Sequence, residues 1–208
     1  MKLTNLLRKT LPLKKCGAVI VAAGNASRMG GIDKMLADLN GWPVLDHAIY
    51  AFACSDVIQE IVVVTRPDLL EQLRGYCQRF GKVRLVVEGG ATRQESVSRG
   101  LAALSPDMEL VAVHDGARPL ISQEVIDRTV RAAHSYGAAA PAIPVKDTIK
   151  MEEGGLAVST PDRSKLRAVQ TPQVFDRDLL AGALLKAEKD KASVTDDCSA
   201  VERLGVKI

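Results

Sequence analysis

Apolar residues fall along this chain in two rhythms, and the alternation between them predicts most of the architecture. Short unbroken apolar runs at 17–23, 60–65, 83–87, 110–114 and 138–143 read as buried strands. Between them, apolar residues recur at helical spacing over 43–53, 68–80, 92–104 and 122–136. Pro43 suits a first helical turn. Asp68, after Pro67, is an expected N-cap, and Gly137 an expected left-handed C′ residue. Repeated strand–helix alternation predicts an α/β fold: a mostly parallel sheet, helices on both faces and right-handed crossovers. Ligands bind such sheets beyond the carboxyl ends of the strands.

The rhythm breaks near residue 144. Residues 145–151 and 156–160 read as a hairpin turning at Gly154-Gly155, with Glu152 and Glu153 leading into the turn. A two-stranded ribbon is marginal alone, so this arm must pack on its own domain or on a partner subunit. Helices are expected over 176–189 and 196–204, and 206–208 starts what reads as a further strand.

Composition narrows the class. The chain has 208 residues, 47% of them hydrophobic, enough to bury a core without disulfide or metal. The apolar run at 18–23 falls far short of the ~20 residues that cross a bilayer. Aromatics at 3% argue against stacking platforms for single-stranded nucleic acid. The net charge of +3 comes from the start, where Lys2, Arg8, Lys9, Lys14 and Lys15 meet no acid. The remainder is close to neutral, without the basic body of a nucleic-acid binder. Residues 1–15 are expected to be a solvated basic leader, because no apolar core of a secretory signal follows. Residues 16–208 are expected to form a single domain, with the arm at about 145–166. Cys16, Cys54, Cys77 and Cys198 form no CxxC pair and read as reduced thiols in a cytoplasmic protein.

The chemistry-bearing residues gather where strands end. After the first run comes Ala22-Ala23-Gly24-Asn25-Ala26-Ser27-Arg28-Met29-Gly30-Gly31, with Lys34 close behind. Its small residues let backbone N–H groups approach an anion, though an ordinary glycine turn fits equally well. It is neither GxGxxG nor a Walker A loop, which disfavours a dehydrogenase and a P-loop NTPase. After the third run come Gly89-Gly90, Arg93, Glu95 and Ser96. After the fourth come His114-Asp115-Gly116-Ala117-Arg118-Pro119. Asp115 is placed to hold Mg²⁺ or a sugar hydroxyl and Arg118 to fork a phosphate, while His114 reads as a structural histidine. Further on come Lys146, Asp147, Thr148 and Lys150, then Asp162, Arg163 and Lys165. Gln170-Thr171-Pro172-Gln173 and Thr195-Asp196-Asp197 complete the polar set. Many phosphate and hydroxyl binders without a covalent nucleophile fit phosphoryl or nucleotidyl transfer by positioning and charge stabilisation.

The ordered set AAGNASRMG with Lys34, EGGxxRxxSV, HDGARP, PVKDT, Asp162-Arg163, QTPQ and VTDD resembles the sugar-phosphate cytidylyltransferases. Within them it is most similar to the 2-C-methyl-D-erythritol 4-phosphate cytidylyltransferase family. The resemblance runs from about Ala18 onward. It implies a Rossmann-like nucleotide-diphospho-sugar transferase fold with a protruding β-arm, and a homodimer formed through that arm. It implies Mg²⁺-dependent transfer of CMP from CTP to methylerythritol phosphate, with release of pyrophosphate, in non-mevalonate isoprenoid synthesis. By the same resemblance Arg28, Lys34 and Arg163 are the catalytic cations, Arg163 reaching the partner's substrate phosphate. Ala22, Ala23, Gly24, Gly90 and Ser96 would line the CTP site, and Asp115, Arg118, Thr148 and Thr171 would contact methylerythritol phosphate or ribose. The Mg²⁺ would be held mainly by CTP phosphates, with Asp115 as its protein ligand.

The sequence departs from the family pattern at Ala26, where glycine is usual, at Asp33-Lys34-Met35, where Pro-Lys-Gln is usual, and at Gly116, where alanine is usual. The family pattern continues past Ile208 with a strand, an Asn-x-Lys segment and a helix, so a shortened C-terminus is expected here. Two rival readings remain at the level of sequence: a ribitol-5-phosphate cytidylyltransferase and a non-enzymatic nucleotide-binding module.

Overall fold

A computed structural model describes residues 12–24 and 33–208. Strand β1 (Cys16–Ala22) is buried along its whole length. Its side chains alternate between the two faces, as the pleat requires. Ala18, Ile20 and Ala22 enter one apolar cluster, and Val19 and Val21 enter the other. Two two-residue strands, β2 (Asp38–Leu39) and β3 (Trp42–Pro43), form a small hairpin ahead of helix α1 (Val44–Ala53). Then follow β4 (Glu60–Thr65), α2 (Leu70–Cys77), β5 (Val83–Glu88), α3 (Arg93–Ala103), β6 (Leu110–Asp115) and α4 (Gln123–Tyr136). β1, β4, β5 and β6 are parallel. Helices α1, α2 and α4 contribute Leu45, Ile49, Phe52, Leu73, Ile126 and Val130 to the first cluster. Val97 and Leu101 of α3 join the second, with Leu180 and Leu184 of α5 (Arg177–Lys189) and Val201 of α6 (Asp197–Glu202). The sheet is thus covered on both faces, as the apolar strand runs require.

The expected strand at 138–143 is in fact two, β7 (Ala138–Ala139) and β8 (Ala142–Pro144). Pro141 stands between them and has no N–H to offer a ladder. β8 pairs antiparallel with β11 (Arg167–Val169), and β9 (Met151–Glu153) pairs with β10 (Leu156–Ser159). The expected hairpin is therefore shorter than 145–151 and 156–160, and a second ribbon stands at its base. A strand absent from the sequence reading, β12 (Gln173–Asp176), lies antiparallel between β6 and β7. The main sheet runs β5-β4-β1-β6-β12-β7.

Other boundaries shift for local reasons. Asp68 caps no helix: Pro67–Leu69 form a 3-10 turn, α2 has no side-chain cap, and Asp68 pairs with Arg66. Gly137 ends α4 at φ 88°, where a Cβ is disfavoured. Residues 206–208 form no strand.

Candidate functional site

After β5 the chain returns to the far side of β1 as β6, so strand order reverses between β1 and β6. At such a reversal the loops leaving two neighbouring strands diverge and open a crevice. A cavity of about 370 Å³ lies there, lined by Ala23 and Gly24 after β1, Gly90 to Arg93 and Ser96 after β5, and Asp115 and Ala117 at the end of β6.

The wall after β5 is built by close contacts. Gly89 N–H donates to Thr65 O at 2.8 Å. A Cβ on Gly89 would come within 2.5 Å of the Ala23 Cβ and 2.8 Å of Ser96 Oγ, so only glycine lets the two loops approach. Thr92 caps α3 by accepting from Glu95 N–H at 3.1 Å, and the Glu95 carboxylate accepts from Ala91 N–H at 2.8 Å. The buried Ser96 hydroxyl donates to Thr92 O at 2.9 Å and accepts from Gly90 N–H at 3.1 Å. That hydroxyl shapes the wall around Gly90.

Asp115 stands between two guanidinium groups. Arg93 Nη2 lies 3.3 Å from its Oδ1, and Arg118 Nε 3.2 Å from its Oδ2. Arg93 also meets Asp197 Oδ2 at 2.9 Å. Burial pushes the Asp197 carboxyl above its usual range, and Arg93 opposes that push. Asp197 is held at the start of α6 by β12, because Gln173 Oε1 accepts from the N–H groups of Asp197 and Cys198 at 3.0 and 2.9 Å. Asp196 caps the same helix in a reciprocal box with Ser199.

Beneath Asp115 lies a buried chain of hydrogen bonds. Asp115 N–H donates to Thr171 Oγ1 at 3.4 Å, and Thr171 Oγ1 lies 2.9 Å from His114 Nδ1. His114 Nε2 lies 3.1 Å from Arg118 O. A carbonyl only accepts, so Nε2 carries the proton and Nδ1 accepts from Thr171. Burial lowers the His114 pKa to about 4, so the ring is neutral. With both nitrogens engaged, His114 is a brace, as its sequence position suggested.

The sequence candidates separate into groups. Ala23, Gly24, Gly90, Ser96 and Asp115 line the cavity. Ala22 is buried just behind it, and Thr171 is buried below Asp115. Arg118 reaches Asp115 from outside. Lys34 is half-buried, and its neighbour Met35 lines the cavity. Thr148 and Arg163 are exposed on the arm, where Arg163 Nη1 donates to Lys146 O at 2.9 Å. Arg28 lies outside the described residues. The sequence places Arg93 and Asp197 in its polar motifs without a role of their own, and Arg66 belongs to none of those motifs. A charged residue directly after the apolar run 60–65 was the available signal for Arg66.

Among the described residues no group of three His, Cys, Asp or Glu side chains could hold a metal ion. Both Asp115 oxygens already meet arginines. Asp115 is the one carboxylate among the described residues that line the cavity, so the described donor set does not by itself enclose a metal ion.

Comparison with known proteins agrees with this geometry. The family profile described as IspD, 2-C-methyl-D-erythritol 4-phosphate cytidylyltransferase, matches residues 16–208. The protein of that name from Caldanaerobacter subterraneus subsp. tengcongensis is 44% identical over 200 residues, covering 92% of this chain and 86% of its own. The one from Desulforamulus reducens is 45% identical over 193 residues, covering 90% and 82%. The crystal structure of 4-diphosphocytidyl-2C-methyl-D-erythritol synthase from Anaerococcus prevotii superposes with a TM-score of 0.83 at 33% identity, covering 93% of this chain and 84% of that one. With the cavity at the strand-order reversal and the match over residues 16–208, the chain belongs to the 2-C-methyl-D-erythritol 4-phosphate cytidylyltransferase family.

Proposed function

We propose that this chain transfers CMP from CTP to 2-C-methyl-D-erythritol 4-phosphate and releases pyrophosphate, as a cytoplasmic enzyme of isoprenoid synthesis. The observation that carries the reading is the cavity at the β1/β6 reversal, lined by Ala23, Gly24, Gly90, Ser96 and Asp115. In the reaction an acceptor phosphate oxygen bonds to the α-phosphorus of CTP, and the bond from that phosphorus to the α–β bridging oxygen breaks. The attacking oxygen is already anionic near neutral pH, so no general base is needed. That agrees with a neutral, doubly engaged His114. What the site must supply is positive charge, because both reactants are anions.

In this reading Lys34 and Arg28 meet the charge that builds on the α-phosphate. Asp115 and Arg118 hold acceptor or ribose groups, and Thr171 braces Asp115 from below. Ala22, Ala23, Gly24, Gly90 and Ser96 shape the nucleotide pocket. Mg²⁺, held mainly by the CTP phosphates with Asp115 as its protein ligand, would neutralise charge on the pyrophosphate. The arm exposes Ile143, Ile149, Met151, Leu156, Val158 and Val169. Exposed apolar side chains on so thin a ribbon support a homodimer in which the arm packs on a partner, with Thr148 and Arg163 facing the partner's acceptor site.

The test is pyrophosphate release from CTP and Mg²⁺ with either methylerythritol phosphate or ribitol 5-phosphate as acceptor. Turnover with the first carries the proposal. Turnover with ribitol phosphate alone overturns the acceptor, and CTP binding without turnover on either favours a binding module.

A further inference from the structure

Arg66 follows the last residue of β4 and has a largely buried side chain. Its guanidinium serves three groups. Nη2 lies 2.6 Å from Asp33 Oδ2, Nε and Nη2 lie 3.0 and 3.1 Å from the Asp68 carboxylate, and Nη1 reaches Gly24 O at 3.5 Å. Gly24 and Asp33 are the described residues on either side of 25–32, so one side chain is bound to both. Asp33 heads the turn that carries Lys34. Its Oδ1 accepts from Met35 N–H at 2.9 Å, and its backbone oxygen accepts from Leu36 and Ala37 N–H at 3.2 and 2.9 Å. Both carboxylate oxygens of Asp33 are therefore committed. Lys34, the next residue, has no hydrogen-bond or ion-pair partner among the described residues.

We infer that Arg66 is a positioning residue that neutralises Asp33 and thereby keeps Lys34 free to meet the phosphates of the nucleotide. The inference rests on the reading of Lys34 as a phosphate-stabilising cation. A carboxylate beside that lysine has two harmful alternatives: it pairs with the lysine, or it repels the incoming triphosphate. Both effects are stronger in a partly buried site than in water. Arginine suits the task because its planar fork engages a carboxylate, a second carboxylate and a carbonyl at once and never gives up its charge. Arg66 also reaches Gly24 O at the cavity wall, but of its partners only Asp33 adjoins Lys34, so removing the Asp33 charge isolates the part of its effect that passes through Asp33.

The experiment compares the full-length wild type with Arg66→Ala, the double variant Arg66→Ala with Asp33→Asn, and Lys34→Ala. Steady-state turnover and calorimetric CTP binding are both measured, with thermal unfolding as the check on folding. Arg66→Ala is expected to lower kcat by about 10-fold or more and to weaken CTP binding. The double variant, which removes the stray carboxylate, is expected to recover both to within about 3-fold of wild type. A double variant as impaired as the single one overturns the inference, because loss of a purely structural clamp is not repaired by removing its second half. Wild-type behaviour of Arg66→Ala overturns it as well. If Lys34→Ala is impaired and Arg66→Ala is not, only the inference fails. If Lys34→Ala matches wild type, the reading of Lys34 fails and the inference with it.

Discussion

Thr171 Oγ1 lies 2.9 Å from His114 Nδ1, a side-chain bond between the strand that ends in Asp115 and the segment returning from the arm. With Nε2 donating to Arg118 O, Nδ1 is the acceptor in that bond, and burial lowers the ring's pKa to about 4. The sign of the pH effect follows. Between about pH 4 and pH 6.5 the unfolded chain binds a proton on His114 that the folded chain refuses, so stability falls as pH falls through that window. Lowering the pH from about 7 to about 5 should cost about 2 kcal/mol through this group. Urea unfolding of wild type and His114→Gln at the two pH values checks this: the variant should lose clearly less over the same interval.

Lys34→Ala should lower kcat far more than it raises the KM for CTP. A preorganised charge acting on the transition state is worth about 3–4 kcal/mol, or roughly 10²–10³ in rate. A variant with normal kcat and only a raised KM would make Lys34 a residue of ground-state binding.

Arg93→Leu should destabilise the fold. It strands Asp197, a buried carboxylate 2.9 Å from the lost guanidinium. Breaking a buried pair from one side costs about 3–5 kcal/mol, read as a lower urea midpoint. Adding Asp197→Asn to the same chain should recover part of that loss, because the stranded charge is gone.

Gly89→Ala should raise the KM for CTP and cost about 1–3 kcal/mol of stability. The new methyl has to displace Ala23 or Ser96, both of which line the cavity. Nucleotide titration of the folded variant measures the first effect and thermal unfolding the second.

The parallel half of the fold was legible because its strands are buried on both faces and therefore read as unbroken apolar runs. The position of Asp115 was legible for the same reason: it directly follows such a run. β12 was not, because Gln173–Asp176 has polar residues at both ends. The buried Gln173 is there to hold α6, which no periodicity reports. Asp68 looked like a cap in its local context, but Arg66, two residues earlier, competes for it. The Arg66–Asp33 and Arg93–Asp197 pairs join positions far apart in sequence, so only the folded chain reveals them.

The arm leaves the main sheet after Ala139 and returns with β12, whose Val174 faces Ala139 across the β7–β12 ladder. The excursion thus begins and ends on neighbouring strands. Its length is decoupled from the register of the six-stranded sheet, and loop closure depends only weakly on length. Residues added or removed at the exposed Gly154-Gly155 turn would leave the sheet pairings unchanged. The Gly154-Gly155 end of the arm can therefore vary in length while the pairings of the six-stranded sheet stay as they are.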